Sequence, residues 1–369
     1  MSRLKVLSLL AIGLLLTVHS MFASTVAVGT CKPSLVSFAT ISAAVGAVPS
    51  GSTVEVCPGT YPEQVTIAQP LTLKGISSGN AGQAVITVPG SGLVEVTSGS
   101  GTLIAPLVHV TAGPVNISDI TVDGTGNNVT DTPWLVGILY DDGSSGIVNE
   151  ITARNLCCAG GATGVWAENN SSPLSVTIEN SSFHDINDSA VITEGSGGAL
   201  LATVKGNTVL GGFAQFQLLS DSSSLTANVG NGGSFIGIYS QGSSTGSNTV
   251  SGNAVNAPIG LYMGGGVTAT SNKITNATTA GINDLGGGAT YKSNTITKAG
   301  VGIEFNCNAT IPTVTGNTIN DATTGLDNVP SSFSGSNNFD NVGTLRTDGC
   351  GFKPTPHAPS GPMRAPAHQ

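Results

Sequence analysis

The chain has 369 residues, of which 9% are charged, with 51 glycines and a formal net charge of −9; an ordinary soluble domain carries roughly 25% charged residues. That composition excludes a coiled coil and a charged disordered tail, and a polar fraction made of Ser, Thr, Asn and Gly favours strands over helices. With 21 Asp and Glu against 12 Lys and Arg, nucleic acid is an unsuitable partner, and an acidic polysaccharide would need a cation between it and the protein.

At the N-terminus, Arg3 and Lys5 precede an uncharged, mostly apolar run from Val6 to Val18, followed by the small residues Ala23 and Ser24. This pattern predicts a secretory signal over residues 1–23, because the apolar run falls short of the roughly 20 residues that span a bilayer. No other segment qualifies as a membrane span. The mature chain is expected to be secreted or periplasmic, with 10 basic against 21 acidic side chains. Six cysteines fit an oxidising compartment. The expected pairs are Cys31 with Cys57 and Cys307 with Cys350, tying the two ends of the fold. Cys157 and Cys158 are adjacent and lack a Cys-x-x-Cys spacing or a His cluster, so one core thiol beside one surface thiol is expected rather than a metal site.

Phe38 to Val48 reads as a short amphipathic helix, with Thr40 as N-cap and Ile41, Ala44, Val45 and Val48 on one face. Such a helix would plug the open end of a stack of strands. Strand-like runs follow at 53–56, 64–67, 70–74, 84–88, 93–96, 108–110 and 116–122.

From residue 137 onward the chain repeats. A small residue followed by an aliphatic one recurs at Gly137-Ile138, Gly164-Val165, Ala190-Val191, Gly237-Ile238, Gly260-Leu261, Gly281-Ile282, Gly302-Ile303 and Gly325-Leu326. The steps are 21 to 27 residues, with one double step of 47 whose missing rung lies in Phe213–Leu218. A second ladder, Asn-x-aliphatic or Cys, runs through Asn155, Asn207, Asn253, Asn272, Asn294 and Asn317, with Ser181 filling one slot. Two short strands per repeat with period-two alternation are the requirement of a β-solenoid coil. Asn suits the bend between them, since it tolerates left-handed backbone, and stacked Asn side chains can bond one another along the axis. Residues 353–369 are Pro-rich without apolar period and are expected to be disordered, leaving 24–352 as one domain.

The segment Val54-Glu55-Val56-Cys57-Pro58-Gly59-Thr60-Tyr61-Pro62-Glu63-Gln64-Val65, with Pro70-Leu71-Thr72-Leu73-Lys74-Gly75 after it, resembles the opening of right-handed parallel β-helix proteins of the pectin-lyase-like superfamily. The resemblance implies an all-β, right-handed parallel β-helix with a short N-terminal capping helix. It carries no active site across. The Asn-Thr-Asp, Gly-Asp-Asp and Gly-His-Gly motifs expected of polygalacturonases are absent, as are the Gln-Asp-Thr and Asp-Phe-Ile-Phe-Gly motifs of pectin methylesterases.

If Ile138 and its equivalents point inward, the residues after them form an outward column: Leu139, Trp166, Ile192, Gln217, Tyr239, Tyr262, Asn283, Glu304 and Asp327. Trp166, Tyr239 and Tyr262, with Gln217, are the candidate polysaccharide-binding residues, because flat rings in line can stack on sugars. Two residues further on, Asp141, Glu168 and Glu194 stack on neighbouring coils. They are candidate Ca²⁺ ligands, and Glu168 and Glu194, with Lys205 or Arg154 as base, are candidate catalytic residues. His184-Asp185 is expected to be a surface pair and His109 an outward strand residue. The leading expectation is an exported monomer that binds polysaccharide along a lateral face. A Ca²⁺-assisted lyase or a hydrolase, and a non-catalytic scaffold or adhesin, remain as alternatives.

Overall fold

A computed structural model describes residues 22–77, 83–129, 133–157, 161–171, 173–195, 200–220, 222–242, 247–306 and 310–349. The proposed signal up to residue 21, the tail after 352, and the Cys307–Cys350 pair lie outside the described residues.

Each coil contributes three short strands in succession. The coil starting at residue 146 shows the pattern: Gly146–Asn149, then Thr152–Leu156, then Ala162–Glu168. Their counterparts one coil later are Leu174–Glu179, Ser182–Ile186 and Ser189–Gly195, paired in parallel with the first three. Stacking produces a 13-stranded sheet from the first strand of each coil. The second and third strands form two further faces of a 22-stranded sheet, joined where a single strand such as Lys273–Asp284 runs through both. Among the described residues all strand pairings are parallel except the short Val96–Thr97 hairpin onto Leu103–Val110. Inward aliphatic residues from all three faces fill one continuous core that includes Ile138, Val165, Val191, Phe216, Ile238 and Leu261.

The helix forms where expected, at Ile41–Ala47. Thr40 caps it, accepting from Ala43 N at 3.2 Å, and Ile41, Ala44 and Val45 are buried. Glu63 reaches back to the first turn and accepts from the Ile41 and Ser42 N–H groups, both at 2.8 Å, satisfying donors that a helix start leaves free. Cys31 and Cys57 form the expected disulfide beside it. Cys157 is disulfide-bonded as well, so its reading as a free thiol is corrected.

The small residue before each inward aliphatic has a steric cause. A Cβ on Gly137, Gly164, Gly237, Gly260, Gly281, Gly302 or Gly325 would lie 2.5–2.7 Å from a carbonyl oxygen of the next coil. Coils approach closely at these seven glycines, while Ala190 holds the same rung with a Cβ.

The Asn ladder runs Asn207, Asn228, Asn253, Asn272, Asn294, Asn317 and Asn337, each Nδ2 donating to the next Oδ1 at 2.9–3.0 Å. Asn228 and Asn337 join it, and Asn155 does not. Asn155 takes a left-handed backbone, φ 54°, and its side chain bonds Asp123. Within the ladder, the left-handed bend falls one residue earlier, at Gly206, Ala227, Gly252, Ser271, Ser293 and Gly316. The ladder Asn serves by satisfying backbone groups along the axis rather than by making the turn.

Candidate functional site

The coil register expected from spacing holds throughout the outward column. Leu139 pairs with Trp166, Trp166 with Ile192, Ile192 with Gln217, Gln217 with Tyr239, and Tyr239 with Tyr262. Exposure differs from expectation. Trp166 and Tyr239 are 0% exposed and Tyr262 is 6%. Trp166 lies in a second apolar layer outside the strand face, with Ile104, Trp134, Leu139 and Ile192 and with Val96 packed against it. Its ring meets Trp134 edge-on at 5.2 Å. Tyr239 and Tyr262, 5.7 Å apart, belong to a similar layer with Ala214, Ile236 and Ile259. Gln217 is buried too and donates to Ser189 Oγ at 2.7 Å. An open aromatic track is thereby corrected: outward side chains this apolar are covered by each other and by inserted segments, which removes their area from water.

The acids stack as expected. Asp141 follows strand Trp134–Tyr140, Glu168 ends Ala162–Glu168, and Glu168 pairs directly with Glu194 of the next coil. Asp141 is held from several sides. His109 Nε2 lies 2.9 Å from Oδ2, and the N–H groups of Gly99 and Asp142 donate to Oδ1 at 2.9 and 2.8 Å. Glu168 is 1% exposed beneath the turn at Ser98–Ser100, whose Ser98 Oγ and Ser100 N–H donate to its carboxylate at 3.3 and 3.4 Å. Gly99 is required in that turn, since a Cβ there would come within 2.5 Å of the Asp142 side chain.

Burial splits the two carboxyls. For Glu168, loss of water raises the pKa, a hydrogen bond to Asp141 and its negative charge raise it further, and the result is about 7. Burial would raise Asp141 as well, but hydrogen bonds from His109, from Glu168 and from the two backbone N–H groups outweigh it, and the pKa falls to about 2. Below about pH 7 Glu168 holds its proton beside an ionised Asp141. Glu194 is raised by burial, and its Oε2 has no hydrogen-bond partner.

The proposed bases are not brought to this ridge. Arg154 sits on the second face, its Nε donating to Asp123 Oδ2 at 2.8 Å. Lys205 ends a strand of the first sheet and pairs in register with Glu179. A Ca²⁺ site on Asp141, Glu168 and Glu194 is not supported either. Among the described residues no group of three or more His, Cys, Asp or Glu is placed to hold a metal ion, and the Asp141 oxygens already accept from N–H donors. His109, which sequence reasoning set aside, is the residue that orients Asp141. His184 and Asp185 form the expected surface pair, Nδ1 to Oδ2 at 2.7 Å.

Residues 163–342 match the family model described as "Right handed beta helix region". No curated protein matches the sequence. Among solved structures, the Dettilon tailspike protein superimposes with a TM-score of 0.53 at 14% identity, over 80% of this chain and 62% of that one. This chain thus spans less than two thirds of the tailspike. The GH136 lacto-N-biosidase from Eubacterium ramulus superimposes with a TM-score of 0.58 at 8% identity, over 87% of this chain and 68% of that one. Given three stacked faces of parallel strands, an end-capping helix and these matches, the chain is a right-handed parallel β-helix.

Proposed function

We propose that the chain is an exported protein that takes a polysaccharide across the flank bearing Asp141, Glu168 and Glu194 and hydrolyses a glycosidic bond there. The observation that carries this reading is the buried, hydrogen-bonded Glu168–Asp141 pair, in which burial and the Asp141 charge push Glu168 up to about 7 while Asp141 stays ionised. A glycosidase needs one carboxylic acid that keeps its proton at neutral pH and one carboxylate nearby. Asp141 is hydrogen-bonded to Glu168 and leaves no room for a sugar between them. Its role is to keep Glu168 protonated. Glu194, in register with Glu168 on the next coil, is the second catalytic group; burial raises its pKa, so it serves as the carboxylate only once substrate or water reaches it.

Access to Glu168 requires the Ser98–Ser100 turn to lift. Asp141 and His109, with side chains 15% and 13% exposed, mark the opening beside it. The Cys31–Cys57 disulfide supports an oxidising destination, and a lacto-N-biosidase among the structural neighbours supports glycan chemistry on this architecture. A lyase is less well supported, because neither Arg154 nor Lys205 shares the ridge with the acids.

The test is incubation of the purified chain with neutral and acidic polysaccharides, following new reducing ends and, separately, ultraviolet absorbance of unsaturated product. Reducing ends are expected without unsaturation, falling about 10²-fold or more in Glu168→Gln. Unsaturated product would replace hydrolysis by elimination. Retention of a glycan without any product would leave a binding module, and neither product nor retention from any glycan would remove the carbohydrate reading.

A further inference from the structure

The first sheet turns a different face to solvent. One column of outward side chains runs Thr203, Ser224, Thr249, Thr268, Thr290 and Thr313, in one-to-one register across six coils. Two residues along each strand a parallel column runs Lys205, Thr226, Ser251, Thr270, Lys292 and Thr315. All are exposed or half-exposed. Lys205 and Lys292 are the two charges among these twelve positions, and among the described residues none of the hydroxyls in the rows hydrogen-bonds within the protein.

Both rows are held in a lattice. Steps along the axis are about 4.8 Å, and the two rows are separated by two residues of parallel strand, roughly 6.6 Å. The Asn ladder lies immediately after this sheet in each coil and pins the axial step through paired amides. No register shift interrupts these pairings.

A face this regular, with hydroxyls at ten of its twelve positions, complements a regular, uncharged surface. A soluble sugar or peptide would lose ordering entropy on it, and the rows lack the aromatic, amide and convergent charged groups that orient such ligands. A crystal of hydrogen-bonded oxygens needs none of these. Hydroxyls repeated along the axis at every coil and across the strand at every second residue would offer such a crystal an ordered array of donors and acceptors. We propose that this Thr and Ser face binds ice, independently of the acid ridge.

The experiment measures ice growth in the presence of the full, disulfide-bonded chain, reading thermal hysteresis, crystal shape and recrystallisation. Faceted crystals and a hysteresis gap are expected for the wild type. Thr268→Tyr and Thr249→Lys should abolish both with an unchanged melting curve. Thr297→Tyr, on the second face where Thr297 pairs with Thr275, should leave both intact. Round crystals growing freely with the wild type would overturn the proposal. So would full activity in folded Thr268→Tyr and Thr249→Lys, or adsorption to crystalline cellulose or chitin with no effect on ice.

Discussion

Glu168 and Asp141 sit on adjacent coils, joined by a side-chain hydrogen bond, and titrate far apart, Glu168 at about 7 and Asp141 at about 2. Their titrations oppose each other in stability. Glu168 is raised from 4.5 to about 7, so the folded chain keeps a proton that the unfolded chain releases. That contribution is complete below about pH 4.5 and is lost as pH rises through about 7. Asp141 is lowered from 3.8 to about 2, so its contribution is present above 3.8 and lost as pH falls toward 2. Thermal stability should therefore decline between pH 5 and 8, and Glu168→Gln should flatten that decline by up to roughly 3 kcal/mol, at about 1.4 kcal/mol per pKa unit. Melting curves of both proteins across this range decide it; parallel slopes would mean that Glu168 is ionised throughout. Hydrolysis of a glycan should fade over the same window, as the proton donor is lost.

Trp166 tests what the outer apolar layer contributes. Its indole is fully buried, yet Nε1 has no hydrogen-bond partner among the described residues. Trp166→Ala should cost about 3–5 kcal/mol through the cavity it leaves. Trp166→Phe removes the unpaired N–H together with part of the ring, and should cost less than about 1.5 kcal/mol. Urea midpoints for the two variants give the comparison. Equal losses would show that the N–H has a partner after all.

The Asn ladder makes a sharper demand. Asn253 donates to Leu225 O at 2.9 Å and to Asn272 Oδ1 at 2.9 Å, and its own Oδ1 accepts from Asn228 N and Nδ2 at 2.9 and 3.0 Å. Asn253→Ala strands buried groups on both neighbouring coils, each worth about 1–3 kcal/mol, so a loss on the order of 3 kcal/mol or more is expected. Asn116, exposed on the first sheet, should tolerate the same change within about 0.5 kcal/mol. Equilibrium unfolding of both variants is the measurement.

The coils were legible because their signals are local and repeat. The spacing of Gly137, Gly164 and their successors places Trp166 over Leu139 and Tyr262 over Tyr239, and the pairings agree. The same offset places Asp141, Glu168 and Glu194 in one stack. Period-two alternation reports which side of a strand a residue occupies, and not what later packs on that side. Trp166 and Tyr239 were therefore rightly placed outside the central core and wrongly expected to meet solvent. The charge state of Glu168 was not legible either, because it depends on Ser98, 70 residues earlier in the chain, and on a turn with no repeat of its own. His109 was missed for a similar reason. Its partner Asp141 lies past the end of the strand that pairs with its own.

Two glycines should respond to alanine in opposite directions. At Gly281 a Cβ would lie 2.5 Å from Ile296 Cγ2 and 2.7 Å from Gly302 O. The isoleucine could rotate, but the carbonyl belongs to the next coil and is fixed by its own ladder, so Gly281→Ala should destabilise by about 1–3 kcal/mol. Gly46 lies inside the helix Ile41–Ala47 with nothing within 4 Å of the added atom. There alanine removes unfolded-state freedom and meets no obstacle, so Gly46→Ala should stabilise by about 0.5–1 kcal/mol. Paired urea titrations read both signs at once. A gain at Gly281 would mean that adjacent coils are further apart than the carbonyl contact requires, and a loss at Gly46 would mean that the capping helix is packed on the side that now faces water.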